Sequence, residues 1–192
     1  MKKKEKTYLF VDGTNLYAGQ YELFGPEKYL DFEELVQTIG KHLYPLKKIF
    51  FYASYTPKPK RVTTKILNYL RNEALFYKSV RNSPNLIFFK GHRSIITGKE
   101  KGVDMHLGID MVKGAILKEY SHAVLMTGDS DLTYAVDVSK QFQPSIHTVF
   151  LSNRYSPVLA FRSKSVLFFR LRSDKRMIKR TLLPKRTIIV DL

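Results

Sequence analysis

The sequence predicts an α/β fold with a mainly parallel central sheet flanked by helices, and three observations carry that expectation. Short apolar runs alternate with amphipathic helical patterns, the arrangement of successive β–α–β units. No repeat or low-complexity linker divides the 192 residues, a length suited to one sizeable core. Two of the apolar runs end directly in turns containing glycine and aspartate, at the strand ends where open parallel sheets bind ligands.

In chain order, the apolar runs predict strands over Tyr8–Val11, Lys48–Tyr55, Asn85–Lys90, Ala123–Thr127, Ile146–Leu151 and Val166–Leu171. Phe32, Leu35, Val36, Ile39 and Leu43 form one helical stripe, opened by Asp31 as N-cap with Glu34 three residues on. A second helix is expected from about Val62 to Phe76, after the proline- and lysine-rich segment Thr56–Arg61. A third opens near Lys101 and continues to Glu119, and a fourth follows Asp131. The stretch from Arg162 to Arg186 carries ten lysines or arginines against the single acid Asp174, and the apolar Thr187–Val190 follows. The expected organisation is a domain over residues 1–171 and a basic C-terminal extension over 172–192.

Composition narrows the function classes. Without cysteine, disulfides, thiolate zinc sites and thiol nucleophiles are excluded. A formal net charge of +16 in so small a chain points to a polyanionic partner, nucleic acid first and anionic membrane second. The apolar stretch behind the N-terminal lysines is too short for a signal peptide, and no apolar run approaches transmembrane length, so a cytoplasmic location is expected. Dinucleotide and P-loop glycine motifs and the serine-hydrolase elbow are absent.

Three acidic segments carry chemistry. The run Tyr8–Val11 leads into Asp12-Gly13-Thr14-Asn15, and Ala123–Thr127 leads into Gly128-Asp129-Ser130-Asp131. Taken singly, these segments also suit an Asx-turn and a helix N-cap. Together they crowd carboxylates on one sheet edge, where like charges raise one another's pKa unless a cation neutralises them. Lys101-Gly102-Val103-Asp104 opens the third helix, and Asp104 lies about 20° out of phase with Met111, on or beside the buried stripe. Asp110 points elsewhere on that helix and suits a supporting contact. None of His42, His92, His106, His122 and His147 stands at metal-ligand spacing from another, so structural or surface roles are expected for all five. An all-oxygen ligand set prefers Mg²⁺ or Mn²⁺ to zinc.

The ordered set Val11-Asp12-Gly13-Thr14-Asn15-Leu16, Lys101-Gly102-Val103-Asp104 and Thr127-Gly128-Asp129-Ser130-Asp131-Leu132 resembles the NYN domain, specifically its LabA-like branch within the PIN-like nucleases, over roughly the first 160 residues. The resemblance implies a PIN-like three-layer sandwich and a ribonuclease dependent on Mg²⁺ or Mn²⁺, with endonucleolytic cutting of single-stranded RNA favoured. By position, Asp12, Asp104 and Asp129 match metal ligands, Asn15 a residue positioning substrate or water, and Asp131 an auxiliary acid. Two positions depart from the family pattern: Leu132 replaces a common Phe, and Lys164 stands where an acid often follows a small residue.

Two other functions fit parts of the chain. A catalytically inactive RNA-binding relative would share the basic surface. A haloacid-dehalogenase-like phosphatase would share Asp12-Gly13-Thr14, but its nucleophile would fall on Phe10, which cannot attack phosphorus. Arg172, Lys175, Arg176, Lys179, Arg180, Lys185 and Arg186 are the expected RNA-binding cations, with Phe168 and Phe169 among them as candidates for base stacking or for a buried strand. The alternative for the basic stretch is a solvated tail or an arm docking on a second subunit, which leaves a homo-oligomer open.

Overall fold

A computed structural model describes residues 5–26, 28–94, 100–171 and 183–192. From the N-terminus the chain runs through β1 (Thr7–Asp12), α1 (Gly13–Phe24), α2 (Phe32–His42), β2 (Leu46–Ala53), α3 (Thr64–Arg81) and β3 (Leu86–Lys90). A short hairpin follows, β4 (His92–Arg93) and β5 (Glu100–Lys101), then α4 (Val103–Ile116) and β6 (His122–Met126). The 3₁₀ turn Ser130–Leu132 leads into α5 (Thr133–Lys140), β7 (Ser145–Leu151), α6 (Pro157–Arg162), β8 (Ser165–Arg170) and β9 (Thr187–Asp191).

Seven strands form one sheet in the order β3-β2-β1-β6-β7-β8-β9, and every neighbouring pair is parallel. Helices cover both faces, so the central strands read as unbroken apolar runs rather than alternating ones. Successive residues of β1 still divide between two cores. Leu9 and Val11 join Leu16, Tyr17, Phe32, Ile39, Phe76 and Tyr77 on the face of α1, α2 and α3. Tyr8 and Phe10 join Val103, Leu107, Met111, Val136 and Leu159 on the face of α4, α5 and α6. The period of two places Asp12, next after Phe10 in that series, on the side of α4.

The helix starts follow local chemistry. Asp31 caps α2, accepting from the Glu33 and Glu34 amides at 2.9 and 3.1 Å. Helix α4 begins at Gly102 without a side-chain cap; the glycine adopts a left-handed φ of 84° that turns the chain out of β5. Helix α3 runs five residues past its expected end, to Arg81.

Three elements differ from the sequence expectation. The turn-rich Asp12-Gly13-Thr14-Asn15 begins a helix, because Asp12 accepts from the Asn15 amide and so caps α1. The hairpin β4–β5 holds two residues per strand, too few to leave a periodic signal. Of the expected C-terminal extension, residues 172–182 lie outside the described residues, whereas 187–191 form β9, hydrogen-bonded along β8 as an edge strand of the same sheet. Among the described residues no helix is long and apolar enough to cross a membrane.

Candidate active site

With all seven strands parallel, their C-terminal ends share one edge of the sheet. From β1 the chain moves outward to β2 and β3, then returns to β6 on the other side of β1 and continues to β7. The point where the order reverses lies between β1 and β6, where open α/β sheets form a crevice. Asp12 ends β1 there, and Asp129 follows β6 by three residues.

A chain of hydrogen bonds joins the two strand ends. Asp12 accepts from the Asn15 amide through Oδ1 at 2.9 Å and from the Thr127 hydroxyl through Oδ2 at 2.9 Å. The Thr127 oxygen also accepts from the Asp129 amide at 3.0 Å, and Asp129 Oδ1 accepts from the Asp131 amide at 2.9 Å, capping the 3₁₀ turn. Asn15 Oδ1 accepts from the Gly128 amide at 3.0 Å. The Asn15 side chain thus ties β1 to the loop that carries Asp129, a bracing contact beyond the substrate or water contact expected from sequence. Gly128 is required in that loop: an added Cβ would lie 2.5 Å from the Arg154 carbonyl oxygen, against backbone that cannot move aside cheaply.

Electrostatics draw Asp104 into the same group. Asp12 is only 4% exposed. Burial first, then the charges of Asp104 and Glu100, push its pKa up to about 7 despite the opposing hydrogen bonds from Asn15 and Thr127. Asp104 is raised too, by desolvation and by Asp129, Glu100 and Asp131. Of the two placements expected for Asp104, on or beside the buried stripe, the structure has the second: Val103, Leu107 and Met111 are buried, while Asp104 stands exposed beside them at the rim. Asp131 is exposed as well, and with Asp104 it borders an apolar groove between α4 and α5, lined by Met105, Ile109, Tyr134 and Val138.

Sequence reasoning missed Glu100. Its Oε1 accepts from the Thr14 hydroxyl at 2.8 Å, and Arg93 lies 4.0 Å from its other oxygen. The one signal it left is an acid four residues before Asp104, between Lys99 and Lys101. Asp110, set aside from sequence, accepts from the buried Tyr52 hydroxyl at 2.9 Å and so anchors α4 to β2.

The donor set consists of oxygens, and a hard cation would offset both the burial and the charge crowding that raise Asp12 and Asp104. Among the described residues no three carboxylate or imidazole groups stand close enough to enclose a metal by themselves. An all-oxygen set of this kind fits a hard cation that completes its coordination with water or phosphate oxygens.

The other residues singled out from the sequence divide by position. Arg172, Lys175, Arg176, Lys179 and Arg180 lie outside the described residues. Lys185 and Arg186 immediately precede β9, which places them at the opposite, N-terminal edge of the sheet. Phe168 and Phe169 are 4% and 1% exposed in the core, which rules out base stacking. Lys164 donates to Ser145 at that far edge, so its departure from the family pattern does not touch the aspartates, and Leu132 packs in the α4–α5 core. Phe10, where a phosphatase nucleophile would stand, is a core residue at 1% exposure.

Comparison with known proteins agrees with this architecture. The chain is similar to a protein of unknown function from Vibrio parahaemolyticus RIMD 2210633, with a TM-score of 0.65 and 17% identity over 88% of this chain and 96% of that one. At that identity the likeness concerns the fold. No curated protein matches the chain. Residues 6–162 match the family model of the NYN domain, a member of the PIN-like nuclease superfamily, and the matched span includes Asp12, Glu100, Asp104, Asp129 and Asp131. The chain belongs to the NYN domain family.

Proposed function

We propose that this protein is a metal-dependent ribonuclease of the LabA-like branch, cutting within single-stranded RNA at the β1–β6 crevice. One observation carries the reading: carboxylates from β1, α4 and the loop after β6 share an edge at the point where strand order reverses, and burial together with the neighbouring acidic charges raises the pKa of Asp12 and of Asp104. A structural turn or cap explains each acid alone but not their convergence.

Asp12, Asp104 and Asp129 would hold Mg²⁺ or Mn²⁺. Such an ion, when bound, activates water and stabilises charge on a phosphodiester's leaving oxygen. The chain's own part is orientation. The Thr127 hydroxyl and the Asn15 amide hold both Asp12 oxygens in place, and Asn15 Oδ1 holds the Gly128 amide so that Asp129 keeps its position. The Asp131 carboxylate, exposed at the rim, is available to take up a proton released from water.

Pure protein incubated with labelled single-stranded RNA should cleave it with Mn²⁺ or Mg²⁺ and not in EDTA. Asp12→Asn and Asp129→Asn should each lower turnover by ~10²–10³, the scale of losing one electrostatic contributor to a transition state. Full activity in EDTA, or in either variant, would overturn the reading. RNA binding without cleavage under all metals would favour an inactive RNA-binding relative.

A further inference from the structure

Strand β2 ends at Ala53, on the same edge as Asp12, which is in register with Tyr52. The chain leaving that edge is strongly basic. From Ser54 to Lys65 it carries Lys58, Lys60, Arg61 and Lys65 and no acid, and all four cations are exposed.

This segment is held at its root. The Thr56 amide and hydroxyl each donate to the Glu73 carboxylate at 2.8 Å. Glu73 sits on α3 at 1% exposure, and burying a carboxylate is costly unless its oxygens are bonded. Those bonds run to the loop rather than to the core. Two residues earlier, Ser54 donates its amide to Thr14 Oγ1 at 3.3 Å and accepts from Arg93 Nε at 3.0 Å. Thr14 in turn donates to Glu100, so the loop root and the acidic crevice share one network. Pro57 before Lys58 and Pro59 between Lys58 and Lys60 fix two backbone angles, which lowers the ordering cost of binding. Lys90, exposed at the end of β3, extends the positive charge along the same edge.

We propose that the loop of residues 56–63 is the principal phosphate-binding arm of this protein, gripping the backbone of single-stranded RNA as it approaches Asp12. The identity of the polyanion rests on the ribonuclease reading; the placement of the charge does not. Of the C-terminal cations expected in that role, Lys185 and Arg186 lie at the far edge.

Two triple variants of the full chain test the assignment. Lys58→Gln/Lys60→Gln/Arg61→Gln neutralises the arm. Lys47→Gln/Lys185→Gln/Arg186→Gln removes the same charge from exposed residues at the opposite edge. Binding of a labelled single-stranded RNA is followed by anisotropy in EDTA across a salt series, with melting curves confirming that both variants fold. Neutralising the arm should flatten the plot of log affinity against log salt by about 2 units, at ~0.7 per lost contact. The far-edge variant should stay close to wild type. Equal losses in the two variants, or an unchanged slope in the arm variant, would overturn the proposal. The two readings fail separately: arm-dependent binding without cleavage sinks the ribonuclease alone, and cleavage without arm dependence sinks the arm alone.

Discussion

Burial, aided by the charges of Asp104 and Glu100, holds Asp12 at a pKa of about 7 against an ordinary 3.8. Between those values the folded chain keeps a proton that the unfolded chain has released, so stability from this residue is present at low pH and falls as pH rises towards 7. The cost of ionising it is on the order of 4 kcal/mol, at about 1.4 kcal/mol per pKa unit. Asn at this position avoids that cost. Asp12→Asn should therefore melt close to wild type near pH 4 and well above it at pH 8, while Mn²⁺ should raise the wild-type Tm at pH 8 and barely move the variant. A variant no more stable than wild type at pH 8 would contradict this account. Asp12, Asp104, Asp129 and Asp131 were legible in the sequence because each follows a strand or opens a helix at a recognisable turn. Thr127 and Glu100 were not, since what makes them part of the site are contacts across 115 residues to Asp12 and 86 residues to Thr14.

At the scale of elements, the carboxylates are placed by how helices begin. Helix α1 starts on Asp12 itself, and α4 starts on Gly102, whose left-handed φ of 84° lets Asp104 enter the first turn. Alanine at Gly102 would carry its Cβ into that conformation at a cost of about 1–2 kcal/mol. Gly102→Ala should lower Tm by roughly 2–8 °C for a domain of this size, and metal-dependent cleavage should fall with it as α4 shifts. Gly40 provides the contrast: it lies inside α2, and an added Cβ would meet nothing closer than 4.0 Å. There alanine should raise stability by up to about 1 kcal/mol. Thermal melts of the two variants decide the matter, and a Gly102→Ala protein as stable as wild type would show that the turn tolerates a side chain. Strands β1, β6 and β8 were readable because burial on both faces makes each a nearly continuous apolar run, whereas β3, with no buried residue, was readable from its apolar residues alone. Helix α1 was hidden because Asp-Gly-Thr-Asn suits a turn as well as a helix start. Strand β9 was readable only as an apolar segment, since its pairing with β8 is a tertiary fact.

Across the whole molecule, the two ends of the sheet respond to pH in opposite directions. Far from the aspartates, near the strand starts, His147 Nε2 lies 3.2 Å from His122 Nδ1, and His147 Nδ1 lies 2.6 Å from Ser165 Oγ. The Tyr44 ring stacks on His122 at 3.8 Å, and Glu5 lies 3.4 Å from its other nitrogen. Burial, with His122 and Lys164 nearby, lowers the His147 pKa from 6.5 to about 4. In that interval the unfolded chain takes up a proton that the folded chain refuses. The stability contributed by neutral His147 is therefore complete above pH 6.5 and is lost as pH falls towards 4. The loss is on the order of 3 kcal/mol. Asp12 acts with the opposite sign over an overlapping window, so the metal-free wild type should show a shallow pH profile between 4 and 7. Removing one partner exposes the other. Asp12→Asn should lose stability on acidification as pH falls through the His147 window. His147→Asn, although less stable overall, should lose its acid limb and decline only as pH rises through the Asp12 range. Thermal melts of wild type and both variants in EDTA at half-unit pH steps provide the check. A His147→Asn protein that keeps the acid slope would place the titrating group elsewhere in the chain.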